Sequence, residues 1–174
     1  EWDVWQKFFL WQIPVAPFKA RSQWYFVTKE VDGVSLDHDT GGISYYDVGR
    51  VLRKIHFHGY IHGNFNHENI LVKLGAYKVK AIIDFTESVP IEGEYPHLQT
   101  YLRPDLMYDL ANFLRSCRHF EPEKGVEFFK RFLKGYGLEE HLIQGIELWE
   151  ERIDQLNHNL DWWCKINDVE NIIC

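Results

Sequence analysis

The chain has 174 residues, a formal net charge of -7, a hydrophobic fraction of 45% and an aromatic fraction of 16%. This length fits one domain, or one large lobe and part of another, and the aromatic content argues against disorder. Because the balance of charge is acidic, we expect no broad nucleic-acid-binding surface.

The cysteines and the hydropathy pattern bear on the compartment. Cys117, Cys164 and Cys174 form an odd, sparse set that does not resemble a disulfide framework, which favours a reducing compartment. No apolar run approaches the roughly 20 residues that span a bilayer, and no signal peptide is recognisable. We therefore expect no transmembrane segment.

The first 42 residues predict a helix, a strand and a loop. In EWDVWQKFFLW, the aromatic residues Trp2, Trp5 and Phe9 recur at helical spacing, which indicates the end of an amphipathic helix. Pro14 and Pro17 in IPVAPF cannot continue that helix. The stretch QWYFVTKEV is rich in β-forming residues and predicts a strand, and DGVSLDHDTGG after it predicts a loop.

The middle of the chain predicts a helix and then a hairpin. In ISYYDVGRVLRKIHFHG, Val48, Val51, Leu52 and Ile55 form one apolar face, and Gly59 ends the helix. NILVKL and KVKAIIDF are two short apolar runs separated by a glycine-containing turn, which is typical of a β-hairpin.

From Pro104 onward the pattern is helical. PDLMYDLANFLRSCRHF begins with Pro104 and Asp105, which are favourable in a first helical turn. KGVEFFKRFLKGYG predicts a second helix, and LEEHLIQGIELWEERIDQLNHNLDWW predicts a third and longer one. We therefore expect an α+β chain whose second half is all helical.

The spacing of polar residues around the hairpin suggests phosphoryl transfer. Asn64 follows His62 and Gly63, Asn69 comes five residues after Asn64, and Asp84 stands fifteen residues beyond Asn69. The hairpin would bring Asn69 and Asp84 together, and Mg²⁺ prefers such oxygen ligands. A loop acid would normally orient the attacking hydroxyl, and Asn64 occupies that position.

These motifs resemble those of the protein-kinase-like superfamily. IHGNFNHEN resembles the catalytic loop HxDxxxxN, IDFT the metal-binding DFG segment, and FVTKEVDGVSL the last N-lobe strand with the hinge. MYDLANFL resembles the helix whose aspartate, here Asp109, braces the catalytic loop. The resemblance implies a mainly helical C-lobe at 32–174 with a β-hairpin at the cleft, and an incomplete N-lobe at 1–31.

The resemblance also implies roles for individual residues. The backbone of Lys29, Glu30 and Val31 would meet the adenine of ATP. Asn69 and Asp84 would hold Mg²⁺ on the nucleotide.

Three further residues would shape the catalytic loop by the same resemblance. Asn64 would face the acceptor hydroxyl, while His62 and Asp109 would hold the loop in shape.

The ends of the chain resemble the bacterial lipopolysaccharide core sugar kinases (Kdo and heptose kinases), and RIO-type kinases match less well. EWDVWQKFFLWQIPVAPF resembles the end of helix C, so that Glu1 would be the glutamate that pairs with the strand lysine, and EFFKRFLKGYG resembles a late helix. The resemblance implies ATP-dependent phosphorylation of a sugar hydroxyl on a lipopolysaccharide core. It also implies a cytoplasmic protein with peripheral contact at the inner face of the inner membrane.

Two departures from the kinase pattern predict a weakened or inactive enzyme. Asn64 can position a hydroxyl but cannot accept its proton, and general-base catalysis typically contributes about 10²–10⁴-fold. The glycine-rich loop and the strand lysine would lie before Glu1 and are absent from this sequence. Thr86 in place of the DFG glycine is a milder change.

Other interpretations stay open at this stage. A pseudokinase would bind nucleotide or a protein partner as a scaffold without turnover. A plain helical interaction domain predicts that Asn69 and Asp84 do not face one another. In an unrelated fold Asn64 would be an ordinary loop residue, and in a kinase it could instead be an aspartate that has been replaced. The acceptor and the oligomeric state do not follow from the sequence.

Four histidines, His56, His58, His62 and His67, raise the question of a zinc site. Their spacing matches no closed zinc-finger pattern. The preferred interpretation is that His62 is a packed loop histidine and that the other three are partly exposed.

Overall fold

The computed structural model describes residues 2–21, 26–39, 41–73, 75, 78–91 and 104–138. Four helices lie in these ranges, and their bounds are α1 (Trp2–Leu10), α2 (Tyr45–Phe57), α3 (Pro104–Phe120) and α4 (Gly125–Tyr136). The strands are β1 (Phe18–Arg21), β2 (Phe26–Thr28), β3 (Val34–Ser35), β4 (Tyr60–Ile61), β5 (Ile70–Lys73), β6 (Lys78–Ile82) and β7 (Val89–Pro90). Within the described ranges, no helix is long and apolar enough to cross a bilayer.

The strands form three small antiparallel sheets. β1 pairs with β2, β4 pairs with β7, and β5 lies between β3 and β6. The predicted hairpin is confirmed as β5 and β6, with Ile70 opposite Ile82. The prediction of a continuous loop in DGVSLDHDTGG is wrong in part, because Val34–Ser35 forms β3 against β5 and a 3₁₀ turn follows at Leu36–His38.

Helices α2 and α4 cross at a close approach of two backbones. A Cβ atom added at Gly49 would lie 2.0 Å from the Phe132 carbonyl oxygen, and one added at Gly135 would lie 1.8 Å from the Tyr46 carbonyl oxygen. Glycine at both positions therefore allows α4 to pack directly on α2. The core around this crossing includes Phe132, which is fully buried.

The segment that begins with α1 packs against the end of the hairpin. Phe8 is fully buried and makes edge-to-face ring contacts with Tyr60 and Phe85. After the helix, the Ile82 N–H donates to the Pro14 carbonyl at 2.8 Å, and Val15 forms a parallel bridge with Ile82. These contacts fix the position of the β6 end, which is where Asp84 follows.

Some predicted features fall outside the described residues. They are the start of the strand QWYFVTKEV and the long third helix from Leu138 onward, of which Leu138 alone is described. The helices predicted at α1, α2, α3 and α4 are confirmed.

Candidate active site

The candidate site lies where the loop from His62 to Asn69 meets the end of the hairpin. The loop connects β4 to β5, and Asp84 comes two residues after β6. The Ile83 N–H donates to the Asn69 carbonyl oxygen at 3.0 Å, which continues the ladder of β5 and β6 beyond Ile82. Asn69 and Asp84 therefore lie at the same end of the hairpin, contrary to the expectation for a plain helical domain.

A buried aspartate on α3 anchors the start of this loop. Asp109 is fully buried, and its carboxylate accepts hydrogen bonds from the backbone N–H of His62 at 2.7 Å and of Gly63 at 2.9 Å. His56 Nε2 on α2 donates to the same carboxylate at 2.9 Å, and Tyr136 in turn hydrogen-bonds His56 Nδ1 at 2.7 Å. Three donors thus compensate a carboxylate that has been removed from water.

Gly63 allows the loop to turn sharply beside the segment after the hairpin. Its φ of 85° lies in the left-handed region, and an added Cβ atom would lie 2.3 Å from the Glu87 carbonyl oxygen. A side chain at this position would be strained and would also collide with backbone. The chain direction between His62 and Asn64 therefore depends on glycine.

His62 holds the loop to the hairpin as a neutral ring. It is fully buried, and burial lowers its pKa despite the nearby charge of Asp109. Nε2 donates to the Ile83 carbonyl at 3.2 Å, which leaves Nδ1 to accept from the Asn64 N–H at 3.3 Å. The predicted packing of His62 is confirmed.

The orientation of the Asn64 amide follows from its neighbour Asn66. The Oδ1 atom of Asn66 accepts from the backbone N–H of Glu68 at 3.0 Å and of Asn69 at 3.2 Å, so its Nδ2 must be the atom that faces Asn64. That Nδ2 donates to Asn64 Oδ1 at 2.7 Å. The Nδ2 group of Asn64 is consequently turned toward Asp84 Oδ2, at 3.5 Å. Asn64 therefore presents a donor, and not an acceptor, to Asp84.

The side chains of Asn69 and Asp84 fit a hard cation. Asn69 Nδ2 donates to the Asn64 carbonyl at 2.9 Å, and no described residue donates to its Oδ1, which leaves that oxygen for a ligand. Asp84 adopts a left-handed backbone conformation with φ of 59°, which aspartate tolerates better than most residues. Its Oδ1 accepts from the Thr86 hydroxyl at 2.5 Å, and among the described residues its Oδ2 has only the long contact with Asn64. An amide oxygen and a carboxylate are suitable ligands for Mg²⁺.

A second carboxylate, missed by the sequence analysis, lies near Asp84. Partial burial raises the pKa of Glu87, and the charge of Asp84 raises it further. Glu87 adds negative potential to the place where a cation would bind.

The comparisons with known proteins bear on the fold. The chain matches WaaP, solved in complex with acyl carrier protein, with a TM-score of 0.58 over 89% of this chain and 74% of that chain, at 16% sequence identity. No family model matches, and no curated protein matches. The fold is kinase-like. At this identity, the likeness extends to the fold and not to a specific family within it.

The predicted hinge residues Lys29, Glu30 and Val31 lie in the irregular segment between β2 and β3. The Lys29 N–H already donates to the Pro17 carbonyl at 2.6 Å. Among the described residues, none hydrogen-bonds to the backbone of Glu30 or Val31. Glu1 lies outside the described residues.

The expectation that the other three histidines are partly exposed is wrong for two of them. His56 is 3% exposed and His67 is fully buried, whereas His58 is half-buried against Trp11. Both ring nitrogens of His56 and of His67 are used in hydrogen bonds to protein groups. In the part of the chain that the structure describes, no group of three or more His, Cys, Asp or Glu could hold a metal.

No sequence pattern distinguished Asn66, and none paired His56 with Asp109. His56 is buried on α2 next to Ile55. Its position beside the apolar face of that predicted helix was the one signal that it is a core residue. The partnership with Asp109 spans 53 residues, so no local pattern contained it.

Proposed function

We propose that this chain is a phosphoryl-transfer domain of the lipopolysaccharide-kinase type, which binds ATP with Mg²⁺ and acts on a sugar hydroxyl. In this proposal, residues 1–31 contribute part of an N-lobe with the hinge, and residues 32–174 form the C-lobe. The reaction would take place at the cytoplasmic face of the inner membrane. WaaP, a solved structure to which this chain is similar, is a lipopolysaccharide core heptose kinase, and the kinase-like fold supports transferase chemistry at a coarse level.

The observation that carries the proposal is the connected set of hydrogen bonds from α3 to the end of the hairpin. Asp109 fixes the backbone of His62 and Gly63, and the loop then brings Asn64 against Asp84. A loop fixed from beneath, with a carboxylate and two amides at its open side, is suited to position phosphates and a cation.

Each residue has a distinct task in this proposal. Asn69 Oδ1 and Asp84 would hold Mg²⁺, which supplies charge neutralisation on the phosphates when it is bound. The backbone of Glu30 and Val31 would meet the adenine. His62 and Asp109 would keep the loop in place without touching the substrate.

The donor orientation of Asn64 limits what the loop can do. Its Oδ1 already accepts from Asn66 and belongs to an amide, so a hydroxyl near Asn64 finds no group there that takes up its proton. Since an amide does not take up a proton at neutral pH, we expect transfer to be slow, by about 10²–10⁴-fold relative to an aspartate at this position.

The second candidate function is a pseudokinase that binds nucleotide or a protein partner without turnover. The same donor orientation favours it, because Asn64 and Asp84 hydrogen-bond directly to each other. WaaP was solved with acyl carrier protein, and that precedent supports testing protein partners for this chain as well.

The test is a thermal-unfolding titration with Mg·ATP on the whole chain, beside Asp84→Ala. At 100 times its dissociation constant, a ligand adds roughly 2.7 kcal/mol to the free energy of unfolding. We expect a Mg²⁺-dependent rise in melting temperature that is lost in Asp84→Ala. It should persist in Asp32→Ala, a matched control whose side chain is exposed.

Three outcomes separate the candidates. A Mg²⁺-dependent shift together with slow consumption of ATP in the presence of a lipopolysaccharide core sugar supports the enzyme. A shift without any ATP consumption supports the pseudokinase. No shift at millimolar Mg·ATP, or an equal shift in Asp84→Ala, contradicts a nucleotide site at Asp84.

A further inference from the structure

A groove lies beside the candidate site, between the loop and α3, and the proposed function does not use it. Its volume is about 340 Å³. The residues that line it are Asn66, Glu68, Arg115, Ser116, His119 and Phe120. Asn66 is shared between the groove and the candidate site, because its amide also holds Asn64.

A buried chain of three polar side chains ends at this groove. Tyr45 is fully buried, and burial raises the pKa of its hydroxyl, so the hydroxyl keeps its proton. Among the described residues, His67 Nε2 is the one acceptor for that proton, at 2.6 Å. The neutral ring of His67 therefore carries its own proton on Nδ1 and donates it to Ser116 Oγ, at 2.5 Å.

Ser116 consequently has a proton to donate. Its Oγ accepts from both the Nδ1–H and the backbone N–H of His67, the latter at 3.0 Å. A hydroxyl whose lone pairs are both occupied can act only as a donor in any further hydrogen bond. No described group accepts from it, although Ser116 is only 8% exposed and lines the groove.

The other polar groups of the groove are mainly donors as well. The guanidinium of Arg115 has no ion-pair or hydrogen-bond partner among the described residues, and it presents its donors in a planar fork. Asn66 has a second amide hydrogen beside the one that it gives to Asn64. Among the described residues of the lining, Glu68 is the one acid, and it is exposed.

We propose that this groove binds an oxyanion, a phosphate or a carboxylate carried by the acceptor, and holds the acceptor beside the catalytic loop. The Arg115 fork and the Ser116 hydroxyl would contact the oxyanion, and Phe120 would cover an apolar face of the ligand. The assignment of the ligand to an acceptor rests on the proposed function, whereas oxyanion binding itself does not. Because Asn66 lines the groove and also donates to Asn64, a ligand in the groove would change the hydrogen bond between these two side chains.

The first experiment is an NMR titration of the whole chain with inorganic phosphate, and separately with acetate as the carboxylate probe. We expect the Asn66 side-chain amide and the backbone resonances of Arg115 and Ser116 to move together with one dissociation constant. Arg115→Gln should weaken that binding about tenfold, because a charge-assisted hydrogen-bond pair is lost. Arg115→Lys should give an intermediate value.

Arg118→Gln is the matched control, because Arg118 is an exposed arginine on the same helix that does not line the groove. The affinity of Arg118→Gln for phosphate and for acetate should equal that of the unaltered chain. Arg115 is also exposed, so Arg115→Gln should fold normally, whereas a change at Ser116 would disturb His67.

A phosphate titration of Asp84→Ala distinguishes a failure of this proposal from a failure of the proposed function. Persistence of the phosphate effect in Asp84→Ala, with loss in Arg115→Gln, supports the groove even if the chain fails to bind Mg·ATP. The proposal is overturned if neither probe moves the groove resonances at millimolar concentration. It is equally overturned if Arg115→Gln binds the probes as tightly as Arg118→Gln does.

Discussion

The side chain at position 64 determines whether the loop can accept a proton. The groups around Asn64 show which contacts an aspartate at this position would make. Asn66 Nδ2 would still donate to one carboxylate oxygen of an aspartate at this position. The other oxygen would face Asp84 Oδ2, which lies 3.5 Å from the present amide nitrogen. Two carboxylates at such a distance repel each other unless a cation lies between them.

We therefore predict two effects of Asn64→Asp. Without Mg²⁺ its melting temperature should fall below that of the native chain, and Mg²⁺ should raise it by more than it raises the native value. With Mg·ATP and an acceptor sugar, its rate of ADP formation should rise by about 10²–10⁴-fold. Asn64→Ala serves as the control, since it has neither base nor repulsion. Equal Mg²⁺ responses in Asn64→Asp and Asn64→Ala would contradict the proposed cation site.

Asn66 positions Asn64, and this role can be measured by a double-mutant cycle. In Asn66→Asp, one oxygen keeps the acceptor role toward Glu68 and Asn69, but the other meets Asn64 Oδ1 without a proton between them. We predict a loss of about 1–3 kcal/mol in the free energy of unfolding, the cost of an unsatisfied polar group.

In the Asn64→Ala background, Asn66→Asp should cost clearly less, because the opposing oxygen is gone. Chemical denaturation of the four chains gives the coupling energy. A coupling energy near zero would mean that Asn66 does not control the orientation of Asn64.

For individual residues, the sequence predicted the spacing of the candidate site residues but not which distant side chains hydrogen-bond to one another. The intervals between Asn64, Asn69 and Asp84 predicted that these residues would meet at the end of a hairpin, because a hairpin's register follows from local pattern. The link between His56 and Asp109 joins two helices that are distant along the chain. Such a link depends on how the helices pack, and no periodicity encodes it.

Among the elements, the crossing of α2 and α4 is the contact most sensitive to side-chain size. Gly49→Ala and Gly135→Ala would each place a methyl group within 2.0 Å of backbone on the opposite helix. We predict that each lowers the free energy of unfolding by about 1–3 kcal/mol or more, because backbone must move to admit the methyl. Urea denaturation measures this loss.

Gly41→Ala is the control for the crossing, because a Cβ atom there would find only ordinary contacts at 3.5 Å and beyond. It should change stability by less than about 0.5 kcal/mol, as surface substitutions usually do. If Gly49→Ala were as stable as Gly41→Ala, the helices would not approach as closely as described.

The elements also differ in how well local pattern predicts them. The four described helices were recognisable because each carries several turns of apolar periodicity. The two-residue strands β3, β4 and β7 were not, since two residues show no period and their pairing is a tertiary contact. β3 in particular lies in DGVSLDHDTGG, a stretch rich in turn residues. It is a strand because it pairs with β5, and this pairing is not evident from local sequence.

At the scale of the whole molecule, the resemblance of the motifs indicated the kinase-like fold, but nothing in the sequence indicated how the polar interior is arranged. The polar interior is arranged around neutral histidines that bridge helices and loop. His62 joins the loop to the hairpin, and His67 joins Tyr45 on α2 to Ser116 on α3. Folding therefore requires that these rings lose their protons, which makes global stability dependent on pH.

Burial lowers the pKa of His67 from its ordinary value of 6.5 to about 4, although the charge of Asp37 acts in the opposite direction. Between these two values the unfolded chain binds more protons than the folded chain, so stability rises with pH. The contribution of His67, on the order of 3 kcal/mol, is fully present above pH 6.5 and is lost as the pH falls toward 4.

The double variant Tyr45→Phe with His67→Leu removes this titrating ring together with the hydroxyl that depends on it. We predict that its free energy of unfolding, from urea denaturation, falls less steeply between about pH 6.5 and pH 4 than that of the native chain. Some slope should remain, because burial also lowers the pKa of His62. The single variant Tyr45→Phe keeps the ring and should keep most of the slope. Parallel curves for the double variant and the native chain would show that His67 is not buried as a neutral group.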